Sequence, residues 1–246
     1  MSKSIVKNER VIKYHKMNFT RVTNKLRRLM RLPLIFKAGH INVYYHIDHD
    51  GGGTTFGQDF IKLFNHLNLR PDGDVFEWCS GPGFIGFKLF DNYDLKSLTM
   101  NDINPEVLDN YQRTVTKNKL NDIKFFLGKL SDMPRQKFNL IVANPPHFSR
   151  ESDYPQLLVN RQRIIDKDWN THRDFFMNIH NFMHSNTYLI LQESKKSSEA
   201  LDFEQLMKNT MITLEKVVYG KEISGNETFY YLICKVRPKG FEPLTF

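Results

Sequence analysis

The sequence predicts an α/β protein whose core is a seven-stranded, mostly parallel sheet with helices on both faces. From residue 75 onward, short apolar runs that are typical of buried strands alternate with segments whose apolar residues recur at helical spacing. This alternation favours parallel strands that are joined by helical crossovers. The last two apolar runs, residues 211–219 and 228–236, leave no room for a helix between them. We therefore expect an antiparallel hairpin at the C-terminus, with one antiparallel strand at the edge of the sheet.

The N-terminal part of the chain has a different character. Residues 1–37 are basic, and their pattern predicts partly helical structure. Residues 40–49 alternate apolar and polar side chains, which predicts a strand. Residues 50–57 are rich in glycine and predict a flexible loop. We therefore expect a basic N-terminal extension, residues 1–49, and one larger domain, residues 50–246.

The remaining elements are predicted in chain order from their apolar patterns. The expected helices are residues 59–67, 84–90, 105–118, 173–183 and 198–208. The expected strands are residues 75–79, 97–101, 123–127, 139–143, 187–192, 211–219 and 228–236. Pro105 stands in the first turn of its helix, with Asn104 as the cap. Residues 150–170 predict a long polar loop or a short helix.

Composition places the chain among ordinary globular proteins, with 40% hydrophobic and 25% charged residues. No apolar run approaches the roughly 18 residues of a membrane-spanning helix, and the N-terminus lacks the apolar segment of a secretory signal. Cys79 and Cys234 lie in apolar stretches, which favours buried free thiols and a reducing, cytoplasmic setting. We predict no metal site, because no Cys/His set has zinc spacing and the cluster from His46 to Asp50 is interpreted as a polar loop.

The positive charge of the chain is concentrated in its first 40 residues. Residues 1–40 hold eleven Lys and Arg residues against one acidic residue, Glu9. This segment carries +10 in a chain whose net charge is +8, so the rest of the chain carries −2. A cationic arm attracts polyanions such as nucleic acid. The alternative is a solvated arm without a partner.

The stretch from Asn144 to His147 follows the expected strand 139–143. Two prolines end the strand, because proline has no N–H and a fixed φ. The first proline also pushes Asn144 out of the helical region of backbone conformation. The Asn144 carboxamide and the Pro145 carbonyl are thus held as hydrogen-bond acceptors at the end of the sheet, which suits a planar substrate with an NH₂ group.

A glycine turn follows the expected strand 75–79. Gly81, Gly83 and Gly86 are spaced like a dinucleotide-binding fingerprint, and glycine lets the backbone approach a ligand closely. However, Glu77 lies inside the preceding strand, where a carboxylate suits an amine-bearing ligand better than a pyrophosphate. Asp102, at the end of the next strand, is placed to accept ribose hydroxyls. An amino acid joined to ribose and adenine satisfies both carboxylates better than NAD does.

The glycine turn, Asp102 and the stretch Asn144–His147, taken in that order, resemble the class I S-adenosylmethionine-dependent N-methyltransferases with an Asn-Pro-Pro-aromatic motif. The resemblance covers about residues 50–236. It implies a Rossmann-like methyltransferase sheet and S-adenosyl-L-methionine as the cofactor, with S-adenosyl-L-homocysteine as the product. His147 stands where tyrosine, phenylalanine or tryptophan is more usual in the family.

The resemblance also implies which residues bind the cofactor. Glu77, Ser80 and the glycines would line its methionine end, Asp102 would bind the ribose and Ile103 would pack on the adenine. An acid that often follows the third strand is absent here, because Gly128 is followed by Lys129, so Leu130 or backbone groups are expected to take its place. The full set of expected cofactor contacts is Thr54, Thr55, Phe56, Glu77, Ser80, Gly81, Gly83, Asp102, Ile103, Leu130 and Asn144.

The catalytic residues implied by the resemblance are Asn144, Pro145, Pro146 and His147. Accepting both N–H groups of an amide or aromatic amine draws electron density onto its nitrogen and stabilises the developing positive charge. Two roles for His147 stay open. Its ring stacks on the substrate plane, or it accepts a proton, since histidine titrates near neutrality.

The substrate is expected to be a planar exocyclic amine or amide, contacted by His147, Phe148 and Trp169. Family members methylate nucleobase amines, glutamine amides in proteins such as release factors, or small molecules. The basic first 40 residues favour a nucleobase in ribosomal or transfer RNA, with RNA or the ribosome as partner. A glutamine-amide or small-molecule methyltransferase is the alternative. A non-catalytic cofactor-binding subunit fits less well, because the motif is intact.

Overall fold

A computed structural model describes residues 32–46, 53–150 and 164–238, together with Asn24, Leu26, Arg27 and Met30. The strands are β1 Leu34–Ala38, β2 Ile41–Tyr45, β3 Gly73–Trp78, β4 Leu95–Asp102, β5 Ile123–Leu127, β6 Phe138–Ala143, β7 Met183–Ser194, β8 Ile212–Tyr219 and β9 Phe229–Val236. The α-helices are α1 Phe56–His66, α2 Phe84–Asn92, α3 Leu108–Asn118, α4 Asn170–Asn178, α5 Ala200–Met207 and α6 Gly220–Ser224. Short 3₁₀ helices cover Gly53–Thr55, Pro105–Val107, Leu130–Asp132, Lys167–Trp169 and Ile179–Phe182.

Seven of these strands form one sheet in the order β5-β4-β3-β6-β7-β9-β8. The pairs β3–β4, β3–β6, β4–β5 and β6–β7 are parallel. β9 runs antiparallel to both β7 and β8. The predicted fold is therefore confirmed, including the antiparallel C-terminal hairpin. The predicted position of the reversed strand is wrong, because β9 lies between β7 and β8 and the edge strand is β8.

A short helix lies in the connection between the last two strands, where none was expected. Helix α6 has five residues and fits between Tyr219 and the start of β9. The backbone N–H of Tyr219 donates to the Glu222 carboxylate at 3.0 Å, and Gly225 ends the helix with a φ of 73°. A single helical turn needs no amphipathic stretch, so the spacing of apolar residues gave no sign of it.

The two faces of the sheet are covered by separate apolar clusters, because side chains alternate along each strand. Val75 on β3 belongs to the cluster beneath α1 and α2, whereas its neighbour Phe76 belongs to the cluster beneath α4 and α5. On the second face, Trp78 stacks on Phe175 of α4 with ring centroids 3.8 Å apart. This covering confirms the prediction of helices on both faces.

Strands β1 and β2 form a hairpin that packs against α3. Asn118 accepts a hydrogen bond from the Asn42 backbone N–H and donates one to the Asn42 carbonyl, both at 2.9 Å. The Tyr44 N–H donates to Oγ1 of Thr114, also at 2.9 Å. Leu34 and Val43 lie in the same cluster as the helices on that face. The hairpin thus completes the core of the sheet domain.

The hairpin partly corrects the expectations for the N-terminal part. β2 confirms the strand predicted within 40–49, of which residues 47–49 lie outside the described residues. β1 was not expected, because residues 34–37 were included in the partly helical segment. The run Leu34–Ala38 is apolar enough to join the core, and Gly39 turns the chain with a φ of 71°. The division of the chain at residue 49 stays a prediction.

Other sequence predictions concern single residues. Both cysteines are free, but only Cys234 is buried, since Cys79 leaves β3 with a φ of 53° and is half-buried. Asn104 caps the 3₁₀ turn that precedes α3 by accepting from the Glu106 N–H at 3.0 Å, as predicted. Within the described ranges, no helix is long and apolar enough to cross a membrane. The same residues contain no cluster of three or more His, Cys, Asp or Glu that could hold a metal ion.

Candidate active site

The glycine turn lies at the carboxyl end of β3, in the middle of the sheet. The Ser80 N–H donates to the Asn101 carbonyl of β4 at 2.9 Å, and the Gly83 N–H donates back to the Ser80 carbonyl at 2.8 Å. Gly81 and Gly83 have φ values of 49° and 80°, which favour glycine. A Cβ on Gly83 would lie 2.6 Å from Sδ of Met100, whereas a Cβ on Gly81 would meet no described atom within 4 Å. Gly83 is required for packing, and Gly81 faces space that a ligand can fill.

Glu77 is buried beneath this turn. Its Oε2 accepts a hydrogen bond from the Gly86 N–H in the first turn of α2, at 2.8 Å. Burial raises the pKa of the Glu77 carboxyl to about 8, against the opposing effect of its bonds from the backbone N–H groups of Gly86 and Ile85. A Cβ on Gly86 would lie 2.5 Å from Oε2. Glu77 therefore supports the turn from inside, and its predicted contact with a cofactor stays a prediction.

Asp102 ends β4 beside the glycine turn. Its Oδ2 accepts from the Gly81 N–H at 2.7 Å, and its Oδ1 accepts from the Asn104 N–H at 2.9 Å. The next residue, Ile103, is 67% exposed although it is apolar. An orienting carboxylate beside an exposed aliphatic side chain suits a ribose that carries a flat base. These two predicted cofactor residues, Asp102 and Ile103, thus lie beside the glycine turn at the carboxyl ends of the strands.

Leu130 is in a different situation. It follows Gly128, whose N–H donates to the Asp102 carbonyl at 3.0 Å. The Leu130 side chain is buried in the cluster beneath α4 and α5. Its predicted contact with adenine gains no support from this burial, so the backbone around Lys129 is the better candidate.

The segment from Thr54 to Phe56 lies where α1 begins. A Cβ on Gly57 would lie 2.6 Å from Cβ of Lys88, which shows how closely this segment approaches α2. The Phe56 ring packs edge-on against Phe229 at the start of β9, with centroids 5.2 Å apart. Phe229 in turn contacts the His147 ring, at 5.7 Å between centroids. The loop predicted to cover the cofactor is thereby linked through one aromatic ring to the turn Asn144–His147, which is predicted to be the catalytic turn.

The Asn-Pro-Pro-His turn follows β6, the strand next to β3. Trp78 and Ala143, the last residues of these two strands, are partners in the parallel register. Among the described residues, Oδ1 of Asn144 and Oγ of Ser80 are buried without a hydrogen-bond partner. Buried polar atoms are normally paired. Orphaned acceptors at the ends of adjacent strands fit a site whose remaining partners come from a ligand.

His147 is 9% exposed and is held by its neighbours. Its Nδ1 lies 3.2 Å from Oε2 of Glu193, near the end of β7. Its carbonyl accepts a hydrogen bond from the Ser197 hydroxyl. Its Nε2 is buried without a partner among the described residues. The ring is therefore held through Nδ1, and no described residue bonds to Nε2.

Glu193 joins His147 to a second buried histidine. Nε2 of His172 lies 3.0 Å from Oε1 of Glu193, and its Nδ1 lies 2.6 Å from Oδ2 of Asp166. Asp166 also accepts from the N–H groups of Thr171 and His172, at 2.7 and 2.9 Å, and so caps α4.

The contacts of His172 and Asp166 determine the charges of these two side chains. Burial lowers the pKa of His172, but the charge of Glu193 and the hydrogen bonds to Asp166 and Glu193 outweigh it and raise the pKa to about 9. The pKa of the Asp166 carboxyl is lowered, because its hydrogen bond and charge interaction with His172 outweigh the effect of burial. His172 is therefore an imidazolium between two carboxylates.

Sequence reasoning did not find Glu193, His172 or Asp166. Glu193 carried a usable signal, because it is an acidic residue two positions after the apolar run of β7, at the same end of the strands as the predicted catalytic turn. Asp166 and His172 carried none, because their pairing depends on how the chain returns after residues 151–163, which lie outside the described residues.

The two other predicted substrate residues also lie near this chain of side chains. Phe148 is buried, and its backbone pairs with the returning segment through bonds to Ile164 and Asp166 at 2.9 and 2.8 Å. The Trp169 ring packs edge-on against His172, with centroids 5.3 Å apart. Trp169 thus contacts the buried histidine, and its predicted contact with substrate stays a prediction.

Comparison with known proteins agrees with this geometry. Residues 52–167 match the family model of the methyltransferase small domain. The chain is 30% identical over 118 residues to ribosomal RNA small subunit methyltransferase C of Actinobacillus pleuropneumoniae serotype 5b (strain L20), which is 48% of this chain and 32% of that protein. It is 32% identical over 98 residues to release factor glutamine methyltransferase of Streptococcus pneumoniae (strain ATCC BAA-255 / R6), which is 39% of this chain and 34% of that protein. The matches thus span about a third of the length of these relatives.

A solved structure shows the same fold. An S-adenosylmethionine-dependent methyltransferase from Clostridium acetobutylicum ATCC 824 aligns with a TM-score of 0.55 at 12% identity, over 78% of this chain and 95% of that one. These findings confirm the resemblance drawn from the motifs. At 12% identity, the likeness to the solved structure shows the fold, and Ser80, Gly81 and Asp102 would offer polar contacts that fit the predicted cofactor, S-adenosyl-L-methionine.

Proposed function

We propose that this chain, whose residues 52–167 carry a methyltransferase small domain, transfers a methyl group from S-adenosyl-L-methionine to an exocyclic nitrogen of a nucleobase in RNA. The observation that carries the proposal is Oδ1 of Asn144 at the carboxyl end of β6, which is buried and has no hydrogen-bond partner in the part of the chain that the structure describes. The glycine turn ends the neighbouring strand β3. A methyl donor in the turn and an NH₂ group on Asn144 would therefore be neighbours.

Methyl transfer from a positively charged sulfur depends more on the positioning of the reacting groups than on acid–base catalysis. The cofactor supplies a methyl group on a positively charged sulfur, which leaves as a neutral thioether. Asn144 Oδ1 and the Pro145 carbonyl accept the two N–H bonds of the substrate, direct its lone pair in line with the methyl group, and stabilise the positive charge that develops on nitrogen. The stiffness of two consecutive prolines keeps both acceptors in place.

RNA is proposed as the substrate for two reasons. One relative is, by its name, a ribosomal RNA methyltransferase. The first 40 residues carry a charge of +10, which suits a polyanion. We propose that this basic segment contacts RNA or the ribosome.

The second candidate is methylation of a glutamine side-chain amide in a protein. It is favoured by the relative named release factor glutamine methyltransferase. A glutamine amide presents the same planar NH₂ group to Asn144, so the catalytic turn serves both substrates equally. The surfaces outside the turn must decide between them.

The test is to incubate the full chain with methyl-labelled cofactor and, separately, ribosomal RNA, transfer RNA, ribosomal subunits and release factors. We expect label in RNA, sensitive to ribonuclease and recovered as an N-methylated nucleoside after digestion. Incorporation should fall as salt increases from about 50 to 200 mM, because a basic arm binds phosphates. Label found only in protein would overturn the RNA assignment in favour of the second candidate.

Asn144→Ala tests the catalytic turn itself. At saturating cofactor we expect kcat to fall by about 10²-fold or more, because an acceptor that stabilises developing charge is removed. Asn65→Ala is the matched control, since Asn65 is exposed on α1. An Asn144→Ala chain with full activity would exclude the proposed role of the turn.

A further inference from the structure

The two ring nitrogens of His147 have different surroundings. Nδ1 lies 3.2 Å from Oε2 of Glu193, a fully buried side chain. An ionised carboxylate only accepts hydrogen bonds, so Nδ1 carries the ring proton. Nε2 then has a free lone pair, and it is buried without a partner among the described residues. An imidazole fixed in this tautomer is a proton acceptor in position.

The second carboxylate oxygen of Glu193 is held by another buried histidine. His172 contacts Oε1 of Glu193 through Nε2, at 3.0 Å, and Asp166 through Nδ1, at 2.6 Å. Both nitrogens of His172 therefore face carboxylate oxygens, and both donate. The backbone N–H groups at the start of α4 hold Asp166. The four side chains form one continuous series that ends at Nε2 of His147.

We propose that Nε2 of His147 accepts the proton that the substrate nitrogen loses on methylation, and that Glu193, His172 and Asp166 are positioning residues for this step. The inference rests on the proposed function. The nitrogen lone pair forms the N–CH₃ bond while the S–CH₃ bond breaks and its electron pair stays on sulfur. The positively charged methylated nitrogen then gives one proton to Nε2, which leaves a neutral methylamine and a protonated His147. That proton passes to water when the products leave.

The charge balance of the four side chains favours this proton transfer. Asp166 and Glu193 are negative and His172 is positive, so the set carries one net negative charge while His147 is neutral. Protonation of His147 brings the set to zero. A buried uncompensated charge is unfavourable, so a proton placed on His147 compensates the second carboxylate of the series.

Stacking alone does not account for these contacts. A ring that only stacks on the substrate needs no hydrogen bond, and phenylalanine would pack equally well against Phe229. Glu193 and His172 are fully buried, and burying ionised side chains costs stability unless each is paired. In this protein, the series of paired side chains ends at the polar Nε2 of His147, beside the acceptors of the catalytic turn.

The tautomers are tested on the full chain without any substrate. Nitrogen-15 NMR of the histidine rings at pH 7 should show His147 with its proton on Nδ1 and His172 protonated on both nitrogens. Assignment uses His147→Phe and His172→Gln. A proton on Nε2 of His147, or a neutral His172, would contradict the proposed series.

Kinetics test the catalytic step on whichever acceptor the wild-type chain methylates. His147→Phe keeps a stacking ring, and we expect kcat to fall about 10²-fold with little change in KM. His66→Phe, at an exposed position on α1, is the matched control. Full activity in His147→Phe would overturn the proposal, even if Asn144→Ala is inactive. A wild-type chain that methylates no acceptor would overturn the proposed function, while the tautomer result stands by itself.

A pH profile separates a positioning role of Glu193 from a purely structural one. We expect Glu193→Gln to lower kcat and to move the acidic limb of kcat to lower pH, because the protonated His147 loses its negative partner. Among the described residues, Cys79 and Tyr230 are the other titratable side chains that interact with this series, and desolvation raises the pKa of both, so they stay neutral near pH 7. An unchanged limb, in a variant whose Tm shows that it is folded, would exclude the role of Glu193.

Discussion

The buried His172 predicts that the free energy of unfolding depends on pH above neutrality. Its pKa is 6.5 in the unfolded chain and about 9 in the folded one, because Glu193 and Asp166 stabilise the imidazolium more than burial destabilises it. A difference of one in pKa corresponds to about 1.4 kcal/mol, so the protonated His172 adds about 3 kcal/mol. This stabilisation is fully present below pH 6.5 and is lost as the pH rises through 9.

The assay is urea unfolding of the full chain at intervals between pH 6 and pH 9.5. Glu77 acts in the same direction, because its pKa is raised from 4.5 to about 8. Its contribution is common to wild type and to His172→Gln, so the difference between their pH profiles isolates His172. We expect the wild type to lose about 3 kcal/mol more than the variant across this range.

Direct titration keeps this prediction testable if His172→Gln does not fold. The ring of His172 in the wild-type chain should titrate near pH 9 by NMR. His184, which is exposed on β7, is the internal reference. A His172 ring that titrates near 6.5, or wild-type stability that does not change between pH 6.5 and 9, would refute the assignment of an imidazolium between two carboxylates.

Two further predictions concern the glycine turn and the hairpin. Gly83→Ala should lower the free energy of unfolding by about 1–3 kcal/mol in urea, because its Cβ would lie 2.6 Å from Sδ of Met100. Gly81→Ala should instead weaken cofactor binding in calorimetry and have a smaller effect on stability, because its Cβ would meet no described atom within 4 Å. Equal effects of the two alanines on both measurements would contradict this division. Asn118→Ala removes two hydrogen bonds to Asn42 and should cost about 1–3 kcal/mol, with faster hydrogen exchange in β2 than in β9. Uniform exchange in both strands would show that Asn118 does not hold the hairpin.

Local patterns were sufficient to predict most of the sheet. The strand expected at residues 123–127 has those bounds in the structure, and the run at 139–143 differs from β6 by one residue. These segments are apolar, short and bounded by polar turns, so their own sequence determines them. β7 was expected only over 187–192 but covers Met183–Ser194, because Met183 pairs with Phe138 of β6, while Glu193 and Ser194 pair with the start of β9. Pairing of this kind cannot be seen in a single segment.

The candidate site also contains residues that the sequence predicts and a contact that it does not predict. Ser80, Asp102 and Asn144 each follow or end an apolar strand, so their meeting at one sheet edge could be predicted from a parallel sheet. Glu193 and His147 are 46 residues apart in sequence, and their contact depends on the register between β6 and β7. No short motif encodes that register.

The structure makes His147 and Glu193 dependent on each other. A histidine in the last position of the catalytic turn is buried, so its Nδ1 needs an acceptor, and Glu193 is the side chain that provides one. Among the described residues, Glu193 without His147 would keep His172 alone as a side-chain partner for its fully buried carboxylate. Replacing both together, as in His147→Phe with Glu193→Gln, should therefore cost less stability than the sum of the two single changes.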